Sequence, residues 1–582
     1  MPKSLLEAFA HYPSIKKSGY LACVGLQTND DFRFVRASWE VPRHRIGRGQ
    51  YWATFFKGGE YCPFFDDFHL VVNWDGDGRD IKQYTISLGN SPSRHVVNES
   101  FYFHVGLAYT NISSIGFSLQ PMPAETVFSI QGQYLGSPSS QPPFGILTSR
   151  TVAALLDVIN PGRHYQAGQV QIVPVPHNPV EIAALDAAAF AISRMKREQA
   201  SWCEESRLFG SVQVVPDGNT LVVSAEKMLD RIAKHRAEIY ALCNVIDAES
   251  YRLYGLDDEG IDFVKRETER ARASQGTYLV SSLSGKVENV SACARWLSHS
   301  VVSVLIGCIF LRWDCPRVFA TTSSGQDHDF SEALPTYAPA MPPLPQAEKS
   351  HQTGILPSWV EMDGIIADDP DRPDDLVRRV RDVAETVWKK RADAIEKEAC
   401  GILGVEQLRD YFRKRGKGGF WDDHVSRYSK SHRKAPIYWL LQSASQTYAL
   451  WLYYHRLDKD MLFKALVNYV EPKIRLETSR LETLRSQQAG AGQSGKEAKR
   501  LAKELEQQED FLSELRDFED KLRRAANLHL EPDLNDGVVL NIAPLHELVP
   551  WKEAKNYWEE LLEGKYEWSS IGKQLRQKGL VK

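Results

Sequence analysis

At 582 residues, with 43% hydrophobic and 25% charged side chains, the chain is too long for one core and has the balance of a soluble globular protein of several domains. A formal net charge of −4 excludes a globally basic nucleic-acid binder, so any basic face has to be local and offset elsewhere. No apolar run follows Met-Pro-Lys-Ser and none reaches about 18 residues, which predicts a cytoplasmic chain with no signal peptide and no membrane span.

Residues 1–180 read as a β-rich domain. Short runs of β-branched or aromatic residues, bounded by Gly, Pro, Asn or Asp, predict strands at 21–26, 68–74, 84–88, 116–123 and 170–175. Arg150 to Ile159 has apolar positions at helical spacing with Asn160-Pro161-Gly162 as its stop, and predicts a helix. Over 181–320 the period is helical, notably at 180–197 and 225–246. Gly255 is placed to end a helix and Asp257 to cap the next. Val301 to Trp313 reads as a buried helix. Residues 321–372, rich in Pro, Ser and Asp, read as a linker.

A helical domain is expected over 373–461. The charged helical pattern of 462–527, interrupted at 489–495, predicts an antiparallel hairpin of coiled-coil type. The tail, 528–582, joins a strand-like Val538 to Ile542 with an aromatic helix around Trp551, Tyr557 and Trp558. The fold class expected is therefore α+β and multidomain. The eight cysteines include no C-x-x-C pair and read as reduced core residues rather than zinc ligands.

Two stretches interleave cations with aromatic rings. In Tyr51 to Lys82, aromatic residues surround Lys57-Gly58-Gly59, and a short strand ends at Asn73 and Trp74 before Asp75-Gly76-Asp77-Gly78, Arg79 and Lys82. Such a surface suits a nucleic-acid backbone and stacked bases; an aromatic β core with two tight turns suits the same residues. Phe412 to Lys434 carries eight Lys/Arg against two Asp, among Tyr411, Phe412, Phe420, Trp421 and Tyr428. It reads as a second nucleic-acid surface or as a solvated basic loop.

Three motifs are weaker. Gly490 to Lys496 imitates a phosphate loop but follows a polar helical stretch, with Glu497 where the metal-binding hydroxyl belongs. Asp66, Asp80 and Lys82 loosely imitate a metal-dependent nuclease. Gln141-Pro-Pro-Phe144 imitates the loop that holds a flipped base in amino-group methyltransferases, with Gln in the wrong place.

In this order, Gly25-Leu-Gln-Thr28, Lys57-Gly-Gly-Glu-Tyr61, Val71-Val-Asn-Trp74, Leu147-Thr-Ser-Arg150, Val173-Pro-Val-Pro176, Tyr251 to Leu256, Leu305 to Asp314, Lys434 to Trp439 and Leu450 to Pro472 make the chain similar to one family. It resembles the C-terminal, non-catalytic part of PglX-like adenine-specific DNA methyltransferases of the BREX and DISARM phage-defence systems and of type II restriction–modification. The resemblance implies a target-recognition domain over roughly 1–180 and helical domains that clamp duplex DNA. It implies no cofactor on this chain, which is either a separate specificity subunit, with S-adenosylmethionine and the N-P-P-Y motif expected on a catalytic partner chain, or a fragment (half) of a larger enzyme that carries them, and it implies other phage-defence proteins as further partners. Phosphate contacts are expected from Lys57, Arg79, Lys82 and Arg94 and from Arg427, Lys430, Arg433 and Lys434, and base contacts from Asn73 and Trp74. A nuclease acting through Asp66, Asp80 and Lys82, or a scaffold acting through the 462–527 hairpin, are the alternatives.

Overall fold

The computed structural model describes the chain except for residues 1, 139, 177, 215–219, 275–277, 320–356, 432, 491–494 and 582. It is a multidomain α+β fold, 54% helix and 11% strand, with several small sheets. Most of the linker expected at 321–372, and the middle of the Gly490–Lys496 motif, lie outside the described residues. The described residues divide into two compact units: those within 1–39, 43–297 and 317–319 form one, and those within 40–42, 298–316 and 357–582 the other.

The first unit holds two four-stranded sheets. One is antiparallel, in the order Leu21–Cys23, Gly132–Gly136, Gly106–Thr110, Leu119–Met122. The other runs Val35–Ala37, Leu70–Asn73, Trp52–Phe56, Thr126–Phe128, its last pair parallel with Phe55 opposite Val127. Every residue of Trp52–Phe56 and of Leu70–Asn73 is buried, so these strands carry no alternation of apolar and polar residues. Phe55 and Phe56, with Trp74, Phe128 and Tyr134, form one core. The aromatic β-core reading of Tyr51 to Lys82 is thus what the strands do.

A second core joins the antiparallel sheet to helices Arg150–Ile159, Pro179–Ala200 and Leu221–Leu253. The first is capped by Ser149, which accepts from the Val152 amide at 3.4 Å. Asp257 caps the helix at Asp258–Glu267 by accepting from the Gly260 amide at 2.8 Å, as its position predicts. Helix Val290–Ile309 has the length and composition of a membrane span, but 89% of its apolar window is buried within the fold.

Asp186 ties the short helix Phe144–Leu147 to Pro179–Ala200 by accepting from the Gly145 amide at 2.7 Å. Burial pushes its carboxyl up to about 6, against the opposing pull of that amide. The folded value lies above the ordinary 3.8, so the fold prefers the protonated acid. Its favourable contribution is present below about pH 4 and gone above about pH 6. Asp186→Asn keeps an acceptor for the amide and removes the charge. After discounting for partial exposure, the variant is expected to be more stable by about 1–2 kcal/mol at pH 7 and indistinguishable at pH 4. Denaturant melts at the two pH values check this, and an equal difference at both would refute it.

Expected strands turn out wholly or partly helical. Residues 84–87 of the run 84–88 belong to helix Asp75–Ser87, 170–171 of the run 170–175 to Ala167–Gln171, and 538–542 to Val538–Ile542. A short apolar run does not distinguish a strand from a buried helical turn, and flanking contacts decide. Conversely, the region read as a helical domain contains an antiparallel sheet in the order Tyr438–Gln442, Ala449–Tyr453, Ile365–Asp368. Its last strand occupies part of the expected linker.

In the second unit, helices Glu471–Gly490 and Lys496–Ala526 form an antiparallel pair. Arg485 meets Glu509 at 2.7 Å, the Gln508 amide donates to Glu477 at 2.7 Å, and Arg523 meets Glu471 at 3.0 Å. A helix, not the strand a phosphate loop needs, precedes the Gly490–Lys496 motif.

Candidate nucleic-acid interface

In the first unit, strand Leu70–Asn73 delivers Asn73 and Trp74 to a left-handed turn. Gly76, Asp77 and Gly78 have φ of 55°, 58° and 72°, which explains the glycines. A Cβ on Gly78 would lie 2.9 Å from the Trp74 ring. The chain then enters a regular helix that carries Arg79, Asp80 and Lys82. Trp74 is only 5% exposed and packs edge-on against Tyr102 and Phe103, with ring centroids 5.3 and 6.5 Å away. It is a core ring, and base stacking is not open to it in this arrangement. Asn73 is also buried; its amide donates to the Tyr51 hydroxyl at 3.2 Å and to Asp80 at 3.3 Å.

The cations around this turn are accessible. Arg79 pairs with Asp75 at 2.7 Å and Lys82 with Glu99 at 2.8 Å, while Lys82 also sits 5.8 Å from the Trp74 ring. Lys57 pairs with Asp31, which also accepts from Thr28 at 2.6 Å. Arg94 is exposed. Two cations missed by sequence reasoning join them. The Arg45 guanidinium lies 4.6 Å from the Tyr51 ring, and that of Arg48 lies 5.8 Å from the Phe103 ring. The signal was present in Arg43-His44-Arg45-Ile46-Gly47-Arg48, a basic run directly before the aromatic stretch. Phe103 itself is half-buried with φ of 62°, costly for an aromatic residue, and its amide donates to Thr126 at 3.0 Å. The result is a patch with Arg45 over Tyr51, Arg48 over Phe103 and Lys82 beside Trp74.

The second basic stretch is largely turned to internal use. Tyr411, Phe412, Phe420, Trp421 and Tyr428 are all buried, so its interleaved rings are core, not stacking platforms. Arg427 is 6% exposed and donates to the Ser300 hydroxyl at 2.8 Å; it is an interior side chain and offers no phosphate contact as placed. Arg413 binds Asp368 at 2.6 Å, and Arg415 donates to Gln442 at 2.8 Å and to the Ser443 carbonyl at 3.0 Å. His424 accepts from the Ile437 and Tyr438 amides at 3.1 and 3.0 Å. Burial, then Arg312 and Arg427, hold it well below the ordinary imidazole range and neutral. Lys414 and Lys417 are exposed, and the small hairpin Ser429–Lys430 and Arg433–Lys434 carries the other three cations: Arg433 meets Glu40 at 3.3 Å, Lys434 pairs with Glu553, and Lys430 is half-buried.

The other motifs separate. Asp80 faces Asn73, Lys82 faces Glu99, and Asp66 accepts from the Asp67 amide at 2.8 Å. Among the described residues no group of three or more His, Cys, Asp or Glu is placed to hold a metal ion. Phe144 of Gln141-Pro-Pro-Phe144 is 1% exposed, so its ring serves the core rather than a flipped base. A cleft of about 50 Å³ between Tyr61, Arg150, Cys243, Asp247 and Arg272 has room for a few waters, not for a nucleobase.

No protein-family model matches the sequence. The chain is similar to the adenine-specific methyltransferase BrxX of Escherichia coli O9:H4 (strain HS), 24% identical over 591 residues, which cover 94% of this chain and 44% of the relative. It is likewise similar to the adenine-specific methyltransferase PglX of Lacticaseibacillus casei (strain Zhang), 24% identical over 538 residues, covering 88% of this chain and 40% of the relative. Over most of its length, then, the chain is similar to less than half of each of two adenine-specific methyltransferases.

Proposed function

We propose that this chain is the DNA-recognition part of an N6-adenine DNA methyltransferase of a phage-defence system. It would hold duplex DNA in the cytoplasm for an S-adenosylmethionine-dependent domain on a partner chain. The observation that carries this reading is the similarity to two adenine-specific methyltransferases, which runs along nearly the whole of this chain and less than half of theirs. The burial of Phe144 supports assigning this chain a holding rather than a methyl-transferring role.

The chemistry of holding follows from the first unit's patch. Its ion pairs are exposed, and an exposed pair is worth at most about 1 kcal/mol. A phosphate can therefore replace Asp75 or Glu99 as the partner of Arg79 or Lys82 at little cost. Arg45 and Arg48 add two further cations, and Tyr51 and Phe103 an aromatic surface between them.

The test is a titration of the purified chain with duplex DNA at several salt concentrations. Affinity is expected to fall steeply with salt, and Arg45→Ala/Arg48→Ala/Lys82→Ala is expected to lower the slope of log K against log salt by about 2 to 3. Adding the catalytic chain should make binding sequence-selective. No binding by the wild-type chain down to low salt, alone or with that partner, would refute the reading.

A further inference from the structure

The hairpin of the second unit changes character along its length. Near its base, ion pairs around the buried Lys473 anchor it: Lys473 meets Asp369 at 2.8 Å, Asp371 at 2.6 Å and Glu477 at 2.9 Å, and the more exposed Arg480 meets Asp371 at 2.8 Å. Leu512, Leu515, Phe518 and Leu522 fill the contact of the second helix. Between Leu481 and Leu501, by contrast, no described residue is buried. This outer part consists of two helices supported only by each other.

Its charges are arranged against its own stability. Over 483–503 the sequence carries five cations, Arg485, Lys496, Lys499, Arg500 and Lys503, and one carboxylate, Glu497. Four of the cations recur at i, i+3, i+4 and i+7 from Lys496 and so line one face of helix Lys496–Ala526. Like charges at these spacings repel. Lys496 and Lys499 also sit in the first turn of the helix, where the backbone dipole favours anions, and Gly495 provides no side-chain cap. Most cations on the inner hairpin are matched, as with Arg523 and Glu471 at 3.0 Å or Arg524 and Glu547 at 2.9 Å, Arg516 being the exception among the described residues. On the outer face, Arg500 reaches Glu504 at 3.7 Å. Among the described residues Lys496, Lys499 and Lys503, all exposed, form no ion pair. The facing turns of the first helix, from Thr483 to Gly490, contain no carboxylate at all.

The geometry points to a second DNA-contacting surface: the outer face of the hairpin, through Lys496, Lys499, Arg500 and Lys503, binds the phosphate backbone of duplex DNA. This rests on the reading of the chain as a DNA-recognition part and adds a contact on the second unit, which contains none of the patch residues. A row of four cations over two helical turns matches successive phosphates and carries no base information, so the arm supplies affinity and leaves sequence choice to other elements.

The experiment compares the full chain, Lys496→Ala/Lys499→Ala/Arg500→Ala/Lys503→Ala, and the Arg45/Arg48/Lys82 alanine variant in the same duplex titrations. Alanine is the best helix former and all four sites are exposed, so the fold is retained; a thermal melt verifies that. The hairpin variant is expected to bind at least tenfold more weakly near physiological salt and to lower the salt slope by about 3 to 4. The effect should be the same on every duplex sequence. A hairpin variant with the wild-type slope overturns the assignment while leaving the chain a DNA binder, and this outcome includes the case in which the arm contacts protein instead. A wild-type chain that binds no duplex overturns both readings.

Discussion

Asp375→Ala is expected to destabilise the second unit by about 3 to 5 kcal/mol. Asp375 is fully buried and accepts both guanidinium nitrogens of Arg409, at 2.9 and 2.7 Å. The same carboxylate accepts from the Asp369 amide at 2.9 Å and, as N-cap of helix Leu376–Trp388, from the Arg378 amide at 3.3 Å. Next to it Asp368, also fully buried, takes Arg409 and Arg413. Two buried carboxylates so close tolerate their charges only because the two guanidinium groups lie between the strand end and helix Leu408–Arg413. Burial still holds Asp368 above the ordinary carboxylate range, although both arginines pull it down. Removing Asp375 leaves Arg409 with Asp368 alone and the helix without its cap. Asp375→Asn keeps an acceptor for one of the two amides, which donate to different carboxylate oxygens, and loses the charge; it should cost less than Asp375→Ala. Arg409→Met in the Asn background should add to the loss, since it takes from the buried Asp368 one of its two guanidinium partners. Chemical denaturation monitored on the second unit's tryptophans measures all three. A loss below about 1 kcal/mol for Asp375→Ala would show that the network is marginal to stability.

This network was poorly legible in the sequence. Asp368-Asp369-Pro-Asp371-Arg-Pro-Asp374-Asp375 has the composition of a solvated linker, and only pairing with Arg409, Arg413 and Lys473, distant in sequence, makes it interior. The same long-range pairing hid the strand Ile365–Asp368, whose partners lie near 449–452. What could be read was local. The helix Arg150–Ile159 is found at its expected bounds because periodicity and a stop signal coincide. Asp257 and Gly255 act at a helix junction as their chemistry dictates. The charge pattern of 462–527 gives two antiparallel helices. Among the candidate site residues, Lys57, Arg79, Lys82, Arg94 and Lys434 are accessible, but Trp74 and Arg427 are interior. Nothing in a row of aromatic and basic residues distinguishes a ring that faces solvent from one that faces a sheet. Arg45 and Arg48 escaped because they precede the aromatic stretch rather than lie within it.

Gly132→Ala is expected to dislodge the Lys57-Gly58 turn and to cost the first unit about 3 kcal/mol or more. Gly132 opens strand Gly132–Gly136 directly beneath that turn. A Cβ there would stand 2.2 Å from the Gly58 nitrogen and 2.6 Å from the Lys57 carbonyl carbon. Both are backbone atoms, so no side-chain rotation relieves the clash. The turn has little room to retreat. Gly58 has φ of 82°, the Gly59 amide donates to Thr110 at 3.1 Å, and Lys57 is held by Asp31. The Gly132 amide is itself fixed by the Ser129 hydroxyl at 2.8 Å. For a unit of this size the loss lowers the unfolding midpoint by roughly 6 °C or more. Gly59→Ala supplies the control, because a Cβ there meets nothing within 4 Å and the residue is exposed; it should melt within about 1 °C of wild type. If Gly132→Ala melts like Gly59→Ala, the close approach of the two backbones is not a constraint on the fold. If only Gly132→Ala is destabilised while duplex binding survives at low temperature, Lys57 makes no phosphate contact and its turn serves the sheet alone.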